Sequence, residues 1–269
     1  MLRVLFPISL VSVILSMTPA SGQVLVGPVA GGGVSWVSFH EKESRQLYKQ
    51  VPVPSFMGGI GLSFQVRKNF YMHTAALYSR KGENLSSSVD PNLKHKEIYH
   101  FIDVPIVFAR EFKINLGHNK IVKWYAGIGP NIGYWLNGKG SVINNQLLED
   151  GFGQMDYKIE FKGSDNPDPS RVYITDANRF QLGLNLATGW VFEPVGLQKI
   201  YFNVRYELGH TYISKGGMET FTGINDYHGD MKARNMGLRI SVSYLVDLKP
   251  SEKKKGKSVD SSGKKIKRR

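Results

Sequence analysis

Four stretches of this chain change residue character at every second position for nine residues or more. Trp124–Leu136 sets Trp124, Ala126, Ile128, Pro130, Ile132, Tyr134 and Leu136 against Tyr125, Gly127, Gly129, Asn131, Gly133 and Trp135. Phe180–Phe192 sets Phe180, Leu182, Leu184, Leu186, Trp190 and Phe192 against Gln181, Gly183, Asn185, Ala187, Gly189 and Val191. Ile200–Leu208 opposes Ile200, Phe202, Val204, Tyr206 and Leu208 to Tyr201, Asn203, Arg205 and Glu207. Met236–Leu248 opposes Leu238, Ile240, Val242 and Val246 to Gly237, Arg239, Ser241 and Ser243. Successive residues of a strand face opposite sides of a sheet, so these are strands with one apolar face and one small, polar or charged face.

Four further strands are expected at about 24–39, 54–67, 69–82 and 96–111. Parity decides the face of 54–67 readily (Phe56, Ile60, Leu62, Phe64), but leaves the faces of 24–39 and 69–82 open. The connections alternate. Long ones fall at about 40–53, 83–95, 139–177 and 214–230; short ones at Arg67-Lys68-Asn69, about 112–120 and 194–198. An even number of strands, with short turns at one end and long loops at the other, predicts an all-β fold. Its form is an eight-stranded antiparallel up-and-down transmembrane β-barrel of a bacterial outer membrane, with N- and C-termini both periplasmic.

Length supports this reading. Ten residues separate Trp124 from Tyr134 and Phe180 from Trp190. Ten residues tilted about 40° rise ~25 Å, the height of the apolar band of such barrels. Trp124, Trp190 and Phe192 then mark one rim, and Tyr134 and Phe180 the other. A soluble lipocalin-like barrel would need an apolar interior. The second face here carries Asn131, Asn185, Asn203, Arg205, Glu207 and Arg239, too polar for a dry ligand cup.

Residues 1–22 read as a signal peptide. Arg3 precedes a mostly apolar run, Val4–Met17, and Ala20-Ser21-Gly22 supplies small residues before a mature start at Gln23. An uncleaved anchor is the rival, but the run is short and lacks a charged stop. The barrel domain is 23–248. Residues 249–269 hold ten Lys and Arg against Glu252 and Asp260, most of the chain's formal charge of +13. Such a segment has nothing apolar to offset its chain entropy, so it is expected to be a disordered basic periplasmic tail. A nucleic-acid reading fails because the charge is terminal and the protein is exported. The expected partners are outer-membrane lipids and, through the tail, a periplasmic or secretion-machinery protein.

The run Phe101-Ile102-Asp103-Val104-Pro105-Ile106-Val107-Phe108, followed by Tyr125-Ala126-Gly127-Ile128-Gly129-Pro130-Asn131-Ile132-Gly133-Tyr134, resembles the PorT-like outer-membrane β-barrel family of Bacteroidota. Leu77-Tyr78-Ser79-Arg80-Lys81-Gly82 and Val204-Arg205-Tyr206-Glu207-Leu208-Gly209 look like two further strands of that family. The resemblance spans most of residues 56–248. It implies an eight-stranded outer-membrane barrel, and, from the member that names the family, a role in type IX secretion. Ala75, where the family often has an acidic residue, His210 and the basic tail depart from it.

Little in the chain suggests chemistry. With no cysteine, there is no disulfide framework, thiol nucleophile or thiolate metal site. Gly127-Ile128-Gly129 with Gly133 has the wrong spacing for a dinucleotide fingerprint, and no helix follows it. The seven histidines (His40, His73, His95, His100, His118, His210, His228) show no HxxxH or HExxH spacing. Asp165-Asn166-Pro167-Asp168 reads as a solvated turn before it reads as a calcium loop. Glu207, His210 and Ser214 could suggest a rim hydrolase, but Ser and His four apart on a strand lie ~13 Å from each other, and Glu207 faces the other way. Neither metal nor cofactor is expected. The remaining constellation is an interior charge network of Asp103, Arg205, Glu207 and Arg239, which should pair across a lumen too narrow for an open pore. The expected function is a non-enzymatic outer-membrane protein of the Gram-negative envelope, making its contacts through loops or tail. The alternatives are an accessory subunit of a type IX secretion machine and a lipid-modifying enzyme.

Overall fold

The computed structural model describes residues 23–115, 121–161, 168, 170–174, 176–194, 198–214, 218–220, 228–230 and 232–248. The signal segment 1–22 and the tail 249–269 lie outside the described residues.

Eight strands form the wall: β1 (Val24–Phe39), β2 (Val53–Arg67), β3 (Phe70–Ser87), β4 (Lys94–Asn115), β5 (Ile121–Ile143), β6 (Phe180–Phe192), β7 (Gln198–Gly209) and β8 (Ala233–Asp247). Each pairs antiparallel with the next, and β8 pairs with β1 to close the ring. The fold is the eight-stranded all-β barrel.

Odd-numbered residues face the lumen on every strand, apart from the upper part of β5. Leu25, Ser63, Leu77, Asp103, Tyr125, Asn185, Arg205 and Arg239 are buried, while Phe56, Ile60, Tyr78, Ile128, Leu184 and Ile240 are exposed. The undecided strands are settled by the same rule: Leu25, Val29 and Val37 turn inward on β1, and Tyr71, Leu77 and Lys81 on β3. Aromatic pairs lie at both ends of the apolar band. Trp124 is opposite Trp190, and Tyr134 opposite Phe180 ten residues on, the latter rings 5.2 Å apart edge to face. The tight β2–β3 turn places Asn69 at φ 61°, a left-handed conformation that Asn adopts more readily than most residues.

The expected loops at 83–95 and 139–177 are largely structured. β3 and β4 stay paired out to Ser86 and Lys94, and β5 runs on to Ile143. Inward positions of this extension include Lys81, Glu83, His95 and Glu97, and its outward ones include Asn84, Ser86, Lys94 and Lys96. The two-residue period continues without the apolar contrast that would reveal it. Beyond β5, Asn144 caps a short helix α1 (Asn145–Glu149) by accepting the Leu147 N–H at 2.8 Å. A strand at Met155–Glu160 then pairs with upper β5, and one at Arg171–Tyr173 pairs parallel to it. On this side the wall rises well above the Tyr134–Phe180 level.

A bulge marks the transition. His100 is opposite Asn137 and Phe101 opposite Trp135, so Leu136 is supernumerary. Below it β5 pairs with β6; above it β5 pairs with Met155–Glu160, and Gly138 and Val142 now face inward. Bulges are common at barrel rims because the extra residue turns the strand and ends one pairing.

Candidate functional site

The lumen is layered. Near the chain ends, Leu25, Val107, Tyr125, Ala187, Val191, Tyr201 and Leu245 form one apolar cluster. At the opposite end, Trp135, Tyr99, Phe101, Val37, Phe39, Tyr157 and Ile159 belong to a larger one. The ring of Tyr157 lies over Gly140, where a Cβ would fall 2.3 Å from it. Between the clusters lies a belt of charge.

The belt centres on Lys81. Its Nζ is 3.0 Å from Asp103 Oδ1 and is bonded to Glu207 Oε1 as well. Glu207 Oε2 accepts from Arg239 Nε at 3.2 Å, and Glu207 Oε1 accepts from Asn131 Nδ2 at 3.2 Å. Asn185 donates to Asn131 Oδ1 at 3.2 Å. Among the described residues Arg205 makes no ion pair: its Nη2 approaches Met57 Sδ at 3.2 Å, beside a cavity of about 60 Å³. Of the four residues expected to pair across the lumen, Glu207 and Arg239 pair directly. Asp103 is joined to them through Lys81, and Arg205 stands apart. Lys81 is missing from the expected network because parity leaves the face of its strand open; the alternation Tyr71, His73, Leu77, Lys81 mixes aromatic, apolar and charged residues on one side.

A second titratable cluster sits above the apolar band, where β3 and β4 have left the membrane-spanning region. Tyr99 donates to Glu83 at 3.1 Å and also bonds Glu97, and Tyr157 donates to Glu97 at 2.5 Å. His95 Nε2 is 3.3 Å from Glu97 Oε1 and is bonded to the Tyr157 hydroxyl. Burial, and then the charge of Glu97, push the Glu83 carboxyl up to about 8. Burial acts to lower His95, but the Glu97 carboxylate outweighs it and holds the imidazole above its ordinary value. Burial acts to raise Glu97, yet His95 and the two tyrosines keep it below the usual carboxylate range.

The rim triad is not assembled. Glu207 is turned into the lumen on Lys81 and Arg239, while the Ser214 hydroxyl donates to the Asp176 carbonyl at 3.2 Å. Asp168 accepts from the Ser170 backbone at 2.9 Å and from Arg171 Nε at 3.2 Å, the closed turn expected of a solvated loop; Asp165, Asn166 and Pro167 lie outside the described residues. Among the described residues no group of three or more His, Asp and Glu is placed to hold a metal ion.

A family model described as an outer membrane protein beta-barrel domain matches residues 19–213, most of the chain. The chain belongs to this outer-membrane β-barrel family. An outer-membrane location follows from membership, and the closed ring with an exposed apolar band is the form it requires. Among solved structures the barrel is similar to Neisserial surface protein A, at 14% identity over 84% of this chain and 97% of that one, TM-score 0.35. It is similar also to OprG of Pseudomonas aeruginosa, at 9% over 84% and 92%, TM-score 0.38. A third is Ail, the attachment invasion locus protein of Yersinia pestis, at 11% over 83% and 99%, TM-score 0.34. A search of curated proteins finds no match.

Proposed function

We propose that this outer-membrane β-barrel protein is a non-enzymatic envelope component that works through its surfaces and not through its lumen. The observation that carries this is the filling of the lumen: two apolar clusters with the Lys81–Asp103–Glu207–Arg239 belt between them. The end bearing Gln23 and Leu248 faces the periplasm, as an even strand number and short turns at that end favour. The raised wall of β3, β4, β5 and Met155–Glu160 then stands outside the cell. The test has two readouts. Purified protein in planar bilayers should show no sustained conductance, and lipid A from cells with and without the protein should have the same mass spectrum. An open channel, or a protein-dependent change in acylation, overturns the reading.

The kinship to PorT-like barrels of Bacteroidota belongs to the same proposal and rests on the strand motifs alone. No described residue favours an accessory role in type IX secretion. The basic tail is proposed to strengthen a salt-sensitive periplasmic association, each Lys or Arg contributing about 1 kcal/mol near an anionic surface. Truncation after Pro250 tests it: unchanged recovery of periplasmic material at low salt makes the tail a mere appendage.

A further inference from the structure

A row of cations crosses the outside of the raised wall. Lys139 of β5 is directly opposite Lys158, and Lys158 is directly opposite Arg171. On the other side Lys139 is opposite Ile98 of β4, with Lys96 at the next outward position. All four cations are exposed, while their neighbours Gly138, Tyr157, Ile159 and Val172 are buried. Like charges directly opposite one another weaken a sheet, and here the opposition is repeated across three strands. Arg171 is answered by Glu160 at 2.7 Å and Asp168 at 3.2 Å. Lys96, Lys139 and Lys158 have no carboxylate partner among the described residues. The three lysines gain no ion pair from the described fold, so their counterpart is to be sought outside the chain.

The shape around the row is amphipathic. Lys96, Lys139, Lys158 and Arg171 line one groove of about 400 Å³ together with Ile98, Ser141 and Ser170, four cations against the single carboxylate of Asp156. A second groove, of about 380 Å³, shares Lys139 and Lys158 and is lined also by Leu136, Phe161, His100 and Glu160, the last of which pairs with Arg171. Ile98 lies four residues beyond Ile102, which is opposite Tyr134 in the upper aromatic layer. Four residues of tilted strand put the cations ~10 Å above that layer. Apolar wall below and unpaired lysines at headgroup height fit an amphiphile with an anionic head. A soluble polyanion would have no use for the Leu136–Phe161 floor.

We propose that these grooves seat the phosphorylated headgroup of an outer-leaflet glycolipid of the lipid A type. Its phosphates lie at Lys139 and Lys158, and its acyl chains run down the apolar band below Tyr134. The choice of leaflet rests on the outward orientation proposed above, whereas binding measured in detergent does not, so the two fail separately. The experiment uses the full chain in mild detergent, titrated with bisphosphorylated lipid A, with dephosphorylated lipid A and with heparin. The wild type should prefer the bisphosphorylated lipid. Lys139→Gln/Lys158→Gln should bind it about tenfold more weakly, bind the dephosphorylated form as before, and keep its heat-modifiable migration. Lys139→Arg/Lys158→Arg should retain wild-type affinity. Equal binding by wild type and the Gln variant, or no preference between the two lipids, overturns the proposal. So does a tighter grip on heparin than on lipid A, which would assign the row to a soluble polyanion.

Discussion

Arg205 and Arg239 are directly opposite each other on adjacent strands inside the barrel, yet among the described residues only Arg239 reaches a carboxylate, giving its Nε to Glu207 at 3.2 Å. Two guanidinium groups in that position repel, and removing one of them is not equivalent to removing the other.

Breaking the paired side should cost heavily, because it strands buried charge. Lys81→Met leaves Asp103 without its 3.0 Å partner and removes one cation from Glu207. We expect a loss of about 3–5 kcal/mol. Arg205→Met, which removes a cation with no direct ion pair among the described residues, should cost less than Lys81→Met does. Urea unfolding in lipid vesicles checks both, and a larger loss for Arg205→Met than for Lys81→Met would refute this account of the belt.

The two faces of β6 make a second test. Leu184 is exposed and Asn185 fully buried, neighbours in sequence pointing into lipid and lumen. Leu184→Arg should lower refolding stability by about 2–4 kcal/mol at mid-bilayer, while Asn185→Gln should change it far less. Equal losses would mean that Leu184 does not face lipid.

The Glu83–His95–Glu97 cluster predicts a pH dependence with a definite sign. Glu83 holds its proton up to about 8 in the fold but ionises near 4.5 when unfolded, so its contribution falls as pH rises through that interval. His95 is raised above 6.5 and likewise loses its contribution as pH rises through its folded value. Glu97 is lowered below 4.5, so its share is lost only when pH falls into the acid range. Amide protection in Met155–Glu160, corrected for intrinsic exchange, should therefore be several-fold higher at pH 5.5 than at pH 9. Glu83→Gln should flatten that difference, and protection that rises with pH would contradict the assignment.

Orientation can be read chemically because the chain has no cysteine. Val89→Cys, in the exposed β3–β4 connection, should react with an impermeant maleimide on whole cells. Ser258→Cys, in the basic tail, should react only once the outer membrane is opened. The opposite pattern would invert the barrel.

What the sequence made legible follows from where residues alternate in character. Phe180–Phe192 and Ala233–Asp247 show lipid on one side and Gly, Asn, Ser or Arg on the other, so strand, face and length are all readable. β3 is different: Tyr71, His73 and Leu77 turn inward while Phe70, Met72 and Tyr78 turn outward, and both faces look apolar. That hid Lys81, the residue joining Asp103 to Glu207. The extensions were hidden for the opposite reason, since Glu83, Glu97 and His95 inside are no less polar than Asn84, Lys94 and Lys96 outside. The upper apolar cluster depends on Tyr157, Ile159 and Val172 arriving from the long connection, where Met155–Phe161 alternates apolar with charged residues; that signal was legible, but it is one short strand inside a stretch expected to be a loop.

Leu136 carries one further consequence. With Phe101 opposite Trp135 and His100 opposite Asn137, the strand gains one residue and its alternation is reset. Were Leu136 deleted, the residues above it would change sides: Val142 would turn to water and Lys139 into the aromatic interior beside Tyr99. A single extra leucine at the rim of the apolar band thus lets one continuous strand obey two solvents in turn, hydrocarbon below and water above, without a break in its backbone.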